Sequence, residues 1–229
     1  MGALTGKNKL MEKEIDFAGT GAVNDRVYDA LRRQLTSGFL QPGQAISIRY
    51  LTDLLKISAT PAREAIKRLV AEHALVIGPN RTPIVPILTR ADLRDLRDIR
   101  LALEGMATER AAAMMTLEDL SFLKKLCEEM ETAIKENNFD QYLESNWRFH
   151  RSVYRVSSSP YMMSIIENLW MRAGPHVRLT FLEASAIGNS MGHHRQALQA
   201  LARGDGVGAR IAIEADISGA ASDIEGVLQ

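Results

Sequence analysis

"ISATPAREAIKRLVAEHAL", residues 57–75, decides how the first third of this chain is read. Ser58 or Thr60 caps a helix, Pro61 falls in its first turn where a missing N–H costs nothing, and Ala65, Ile66, Leu69 and Val70 recur as an apolar stripe. Arg63 and Lys67 stand one helical turn apart on the opposite side, so both leave the core together. A solvated charged face is ordinary on an amphipathic helix. The segments on either side give it another meaning.

Upstream, residues 24–37 repeat Val27, Ala30, Leu31 and Leu35 at helical spacing and end on Gly38, a left-handed stop. "LQPGQAIS" (40–47) turns at Pro42-Gly43, and Ser47 caps a second short helix carrying Leu51, Leu54 and Leu55. Downstream, "ALVIGPNRTPIVPIL" (74–88) changes to two β-branched runs around a Gly-Pro-Asn turn, with Arg81 at the tip. Three helices followed by a small hairpin is the order of a winged helix-turn-helix, whose third helix reaches the groove and phosphates of a DNA duplex. Arg63 and Lys67 lie on that helix.

Charge agrees with this division. The chain is neutral overall, yet residues 21–90 hold ten Lys and Arg against five Asp and Glu, and residues 91–229 hold fifteen against twenty. A basic first half joined to an acidic second half suits a polyanionic partner for the first. No apolar run approaches the ~20 residues of a membrane span, and the first 20 residues lack a signal-peptide core, so they are expected to form a mobile tail. The lone Cys127 lies on a stripe with Leu120, Leu123, Met130 and Ile134, where it reads as a small hydrophobe in a cytoplasmic protein.

From Thr89 onward the period is helical throughout. Thr89 with Asp92 and Thr116 with Asp119 read as capping boxes that open long helices. Further breaks are expected at "ENNFDQY", with Asp140 as the next cap, at "SSSPYMM", at Gly174-Pro175, at "AIGNSMG" and at "ARGDG". The fold class is therefore mainly α: a tail (1–20), a winged helix-turn-helix domain (21–88), and an all-helical antiparallel bundle of about six helices (89–229).

Four polar residues interrupt apolar faces of the bundle. Asn146 and His150 share a face with Leu143 and Val153; His194 falls in step with Ala197, Leu198 and Leu201, with His193 expected to face away; Asp216 sits between Ile213 and Ile217. Imidazole and carboxylate converging from three helices can hold a divalent ion such as Zn, Ni or Mn, although the spacing alone also fits hydrogen-bonded core residues. Arg100, Arg148, Arg172 and Arg178 are candidates for holding an anion. Arg100 and Arg172 lead because apolar residues surround them, and a guanidinium fork suits a small carboxylate.

The segment "RVYDALRRQLTSGFLQPGQAIS…LTDLLKISATPAREAIKRLVAEHALV" resembles the DNA-binding domain of GntR-type bacterial transcriptional regulators, most specifically in "TPAREAIKRL" and the Gly38/Pro42/Gly43 spacing. "RLALEGMATERAA", "NWRFHRSVYRVSSSPYM" and "HRQALQALARGDGVGARIAIEADI" resemble, in order, the FadR-type effector domain called FCD. The resemblance implies DNA contacts from Arg49, Ser58, Thr60 and Arg63, with Arg81 in the wing. Ala59 stands where the family usually has Arg, and Thr82 where it commonly has Gly, so the operator is expected to differ from the family's norm. The family's metal set, Asp-His-His-His, corresponds here to Asn146, His150, His194 and Asp216, the carboxylate having moved from first place to last.

Together these readings describe a cytoplasmic homodimeric regulator that binds a pseudo-palindromic operator, its affinity modulated by a small carboxylate at or near a divalent metal. Two rivals remain: a metal-dependent enzyme acting on a small organic acid, disfavoured because no nucleophile or general base accompanies the ligand set, and a DNA-binding protein whose polar cluster is only structural.

Overall fold

The computed structural model describes residues 21–228 except 158 and 183, and the expected tail (1–20) lies outside them. The N-terminal half begins with α1 (Val23–Thr36), α2 (Ile48–Leu55) and α3 (Ala59–Ala71). Val27, Leu31 and Leu35 of α1, Leu51 of α2, and Ala62, Ala65, Ile66 and Leu69 of α3 close one core. The Ser47 hydroxyl accepts from the Tyr50 N–H at 3.0 Å, starting α2. Lys56 takes a left-handed conformation (φ 53°) to turn the chain into α3. Ser58 occupies the capping position of α3 without a side-chain cap bond.

The wing is β1 (Val76–Ile77) paired antiparallel with β2 (Pro83–Ile84), in register Val76 to Ile84. Ile84 also bridges to Ala45, and Gly43 N–H donates to the Val85 carbonyl at 2.9 Å. The two-residue strands are thus fastened to the α1–α2 loop and do not stand alone as a hairpin.

The second half is helical: α4 (Arg90–Ala112), α5 (Leu117–Lys135), α6 (Phe139–Val156), α7 (Pro160–Val177), α8 (Ala184–Ala202) and α9 (Gly206–Val227). Both expected capping boxes form, Thr89 with Asp92 and Thr116 with Asp119. Leu123, Met130, Phe149, Tyr154, Ile166, Ala197, Ile213 and Ile217 are buried in a shared core.

Three expected boundaries are corrected. Asn138, not Asp140, caps α6, accepting from Gln141 N–H at 3.2 Å, while Asp140 pairs with Arg178 at 2.6 Å. "AIGNSMG" does not break the chain, because α8 runs through it. Gly174-Pro175 does not interrupt α7 either, which continues to Val177. A Pro this near a helix end forfeits one backbone bond, and the chain tightens into a 3-10 turn at Arg178–Leu182. Gly174 is small for another reason: a Cβ there would lie 2.6 Å from the Thr36 carbonyl oxygen of α1.

The halves therefore meet along α7. Met171 of α7 is buried within the N-terminal core. Asn168 and Arg172 both donate to the Glu72 carbonyl at the end of α3, at 3.1 and 2.9 Å. Leu88 N–H, in the connection between the halves, donates to His176 Nε2 at 3.2 Å.

Candidate functional site

On the N-terminal half Arg49, Ser58, Thr60, Arg63, Lys67 and Arg81 are all exposed. Lys67 pairs loosely with Glu64 (2.8 Å) and Arg49 with Asp53 (3.8 Å), exposed pairs that cost little to exchange for phosphate. Arg68 belongs elsewhere, since its guanidinium lies over the Tyr28 ring at 3.6 Å and pairs with Glu72. At the wing tip Asn80 and Arg81 are both left-handed (φ 55° and 57°). Thr82 has φ −87°, so the turn needs no glycine there.

Three helices bring the buried polar set together. α6 supplies His150, α8 His194 and α9 Asp216, and ligand atoms of the three lie within 4.8 Å of one another. His150 Nε2 is 3.2 Å from Asp216 Oδ2 and 3.1 Å from His194 Nε2. Asn146, 7% exposed and one turn before His150, lines the adjoining cavity.

The surrounding hydrogen bonds decide where the imidazole protons sit. His194 Nδ1 is 2.8 Å from the Ser190 carbonyl oxygen, which can only accept, so Nδ1 carries the proton and Nε2 a lone pair. Tyr154 donates its hydroxyl to Glu104 at 2.6 Å, leaving its oxygen to accept from His150 Nδ1 at 3.0 Å. In that tautomer His150 Nε2 carries a lone pair; in the other it donates to Asp216 Oδ2 at 3.2 Å. Asp216 Oδ1 accepts from the Ser190 hydroxyl at 2.7 Å, which turns Oδ2 toward the imidazoles. Two imidazole nitrogens and a carboxylate oxygen thus converge on one point, an arrangement suited to a cation.

Burial lowers the His194 pKa to about 4, holding the ring neutral, with His150 adding to the effect. Burial alone would raise Asp216, but the imidazoles on one side and the Ser190 hydroxyl on the other outweigh it and hold the carboxyl well below its usual range. Tyr154 is pushed far up by burial and by Glu104, so it stays a donor.

A cavity of about 530 Å³ opens beside Asp216, lined among others by Arg100, Asn146, Trp170, His193 and Gln196. His193 thus faces the cavity, contrary to the expectation that it turns away. Arg100 is on the wall, but its charge is already matched: it donates to the fully buried Glu104 at 2.6 and 3.3 Å and lies 4.5 Å from the Trp170 ring centre. Arg172 is not in the cavity; it spans the two halves through Glu72. Arg148 and Arg178 pair with Glu129 and Asp140.

Sequence reasoning offered Tyr154 only as a further residue of the inner face that carries His150 and passed over Ser190 and Glu104, yet each had a helical signal. Tyr154 follows His150 by four residues, Ser190 precedes His194 by four, and Glu104 follows Arg100 by four.

Residues 23–83 match the family model "Bacterial regulatory proteins, gntR family", and residues 95–219 match "FCD domain". The HTH-type transcriptional regulator McbR of Escherichia coli is 35% identical over 150 residues, covering 66% of this chain and 68% of that protein. The gluconate operon transcriptional repressor of Bacillus licheniformis is 32% identical over 165 residues, 71% of this chain and 66% of the repressor. The solved structure of E. coli McbR/YncC superposes with a TM-score of 0.81 at 29% identity, covering 87% of this chain and 95% of that one.

Proposed function

Since this chain belongs to the gntR family of bacterial regulatory proteins, a DNA-binding transcriptional regulator with an FCD domain, we propose that its helical half senses a small carboxylate through a divalent metal held by His150, His194 and Asp216, with Asn146 beside them. The observation that carries this is the convergence of two imidazole nitrogens and a carboxylate oxygen within 4.8 Å, each side chain also held by a contact on its far side. Two imidazoles and one carboxylate suit Zn, Ni or Mn.

Charge then makes the metal a condition for the acid. Among the described residues lining the cavity, Arg100 is the only Lys or Arg, and Glu104 neutralises it. Asp216 is on the same wall. A carboxylate entering without a metal meets an arginine whose charge is already matched; with a metal it completes the coordination. Any hydrogen bonds from Gln196 or His193 add selectivity rather than net attraction.

On the DNA side, Arg63 and Lys67 on α3, Arg49, Ser58 and Thr60 around it, and Arg81 in the wing form the reading surface. A cytoplasmic homodimer sets two such surfaces on a pseudo-palindromic operator. Occupancy of the helical site changes operator affinity only insofar as the ligands bind the two arrangements unequally.

The test is calorimetric titration of chelator-stripped protein with Zn, Ni and Mn, followed by titration of the loaded and stripped proteins with a panel of small carboxylates. Metal binding with acid binding confined to the loaded protein supports the reading. Acid binding of equal strength to stripped protein would return the role to an arginine.

A further inference from the structure

Glu167, on α7, uses its two carboxylate oxygens on different partners. Oε2 accepts from Arg32 Nη1 of α1 at 2.5 Å, and Oε1 accepts from Arg151 Nε of α6 at 2.8 Å. Arg32 belongs to the DNA-binding half and Arg151 to the helical half. The Glu167 side chain is only 15% exposed, so this node is shielded more than an ordinary surface pair.

Its position in the chain gives the bridge a direction. Arg151 directly follows His150 on α6, so a shift of the helix backbone at His150 also moves the anchor of that guanidinium. Trp170, three residues after Glu167, packs its ring 5.2 Å from that of His150 and donates to Glu104 at 2.9 Å. One side of α7 thus touches the buried cluster through Trp170, while Glu167, Asn168, Met171 and Arg172 hold α1 and the end of α3.

We infer that Glu167 is a positioning residue for DNA binding: it ties the helix that carries His150 to α1 of the winged domain, and a change at the buried cluster alters operator affinity through it. The second clause rests on the function proposed above; the first does not. An interface that merely glued two halves together would need no contact with α6. The shared carboxylate makes the placement of α1 depend on Arg151, a residue of the other domain. Removing the anion leaves the two guanidinium groups with no carboxylate between them, Arg32 keeping only Asp29 of its own helix at 3.7 Å.

The experiment uses full-length protein, with Glu167→Gln and Arg151→Gln and, as duplex, a sequence selected from a random pool by the wild type. Hydrogen exchange of the metal-free proteins is read across α1. Both variants are expected to speed exchange there relative to wild type, and the double variant to do no more than Glu167→Gln alone, which already removes both pairs. Unchanged exchange in Arg151→Gln would overturn the bridge, with or without metal chemistry.

Operator affinity is then measured with and without Zn, Ni or Mn, alongside direct calorimetry of metal binding. Wild type is expected to change affinity by about tenfold, within the usual range of coupling. Glu167→Gln should bind metal within about twofold of wild type yet show a ratio near one. A variant that keeps the wild-type ratio, or a wild type that binds metal with no change in operator affinity, overturns transmission through Glu167. Absence of metal binding in wild type refutes the proposed function and the second clause with it, while the exchange result still decides the first.

Discussion

The Nε2 atoms of His150 and His194 face one another across 3.1 Å, and each ring's Nδ1 already has a partner on its far side, the Tyr154 hydroxyl for one and the Ser190 carbonyl for the other. Two ring nitrogens held that close to Asp216 favour a cation between them. Loading with the right ion is therefore expected to raise the melting temperature, by about 2.7 kcal/mol of stability at a hundredfold excess over the dissociation constant. His194→Ala should abolish that rise while leaving operator binding by the metal-free protein intact. A rise that persists in His194→Ala would put the ion elsewhere.

Tyr154→Phe removes the oxygen that accepts from His150 Nδ1 and leaves Glu104 without one of its three donors. Loss of such an orienting partner typically costs about 10- to 100-fold in metal affinity. Calorimetry checks this directly, and an affinity within twofold of wild type would mean that another group sets the tautomer.

Arg63→Ala is expected to weaken specific DNA binding by about 1–3 kcal/mol with no change in melting temperature, because the side chain is exposed and outside the core. Lys67→Ala should weaken all duplexes similarly and lower the salt slope by about one. Binding isotherms on specific and scrambled duplexes at several salt concentrations separate the two behaviours.

Ala59→Arg restores the residue most common in the family at the first position of α3. It should shift base preference at one operator position by about 1–3 kcal/mol without unfolding the domain. Selection of duplexes by both proteins, compared base by base, reads the outcome.

The Asp119 carboxyl lies below its usual range because the Thr116 hydroxyl and N–H both donate to it. A pKa lowered on folding contributes stability that is complete above the unfolded value, near pH 4, and is lost as pH falls through the folded one. Asp119→Ala should therefore destabilise the protein by about 1 kcal/mol at pH 7 and by progressively less below pH 4. Urea denaturation at the two pH values measures the difference.

Much of the architecture could be read in advance because it rests on local chemistry. The Thr-x-x-Asp boxes, the Ser47 cap and the left-handed Gly38 are each decided within a few residues, and all appear as expected. The misreadings share a different origin. Gly188 and Gly192 lower the helix propensity of "AIGNSMG" by about 1 kcal/mol each, yet α8 packs along α9 and stays whole. Gly174-Pro175 has the composition of a break, but its meaning lies in the Thr36 carbonyl pressed against it from a segment far away in sequence.

The cluster shows the same division. Helical spacing turned His150, His194 and Asp216 inward, and they do meet. Spacing did place Glu104 one turn from Arg100, but it could not say that the Tyr154 hydroxyl and Trp170 reach the same carboxylate, or that the apolar neighbours of Arg172 belong to a face that meets the winged domain. Those facts depend on which helix faces which.

Met171 completes the core of the half that precedes it in the chain. A gene fragment ending at the linker would encode a winged domain missing one of its own interior residues, with the Thr36 carbonyl and the Glu72 carbonyl left without the surfaces that cover them. Exchange of such domains between relatives by recombination is therefore constrained: a winged domain and a helical sensor must arrive with matching α7 faces, because that one helix serves both cores.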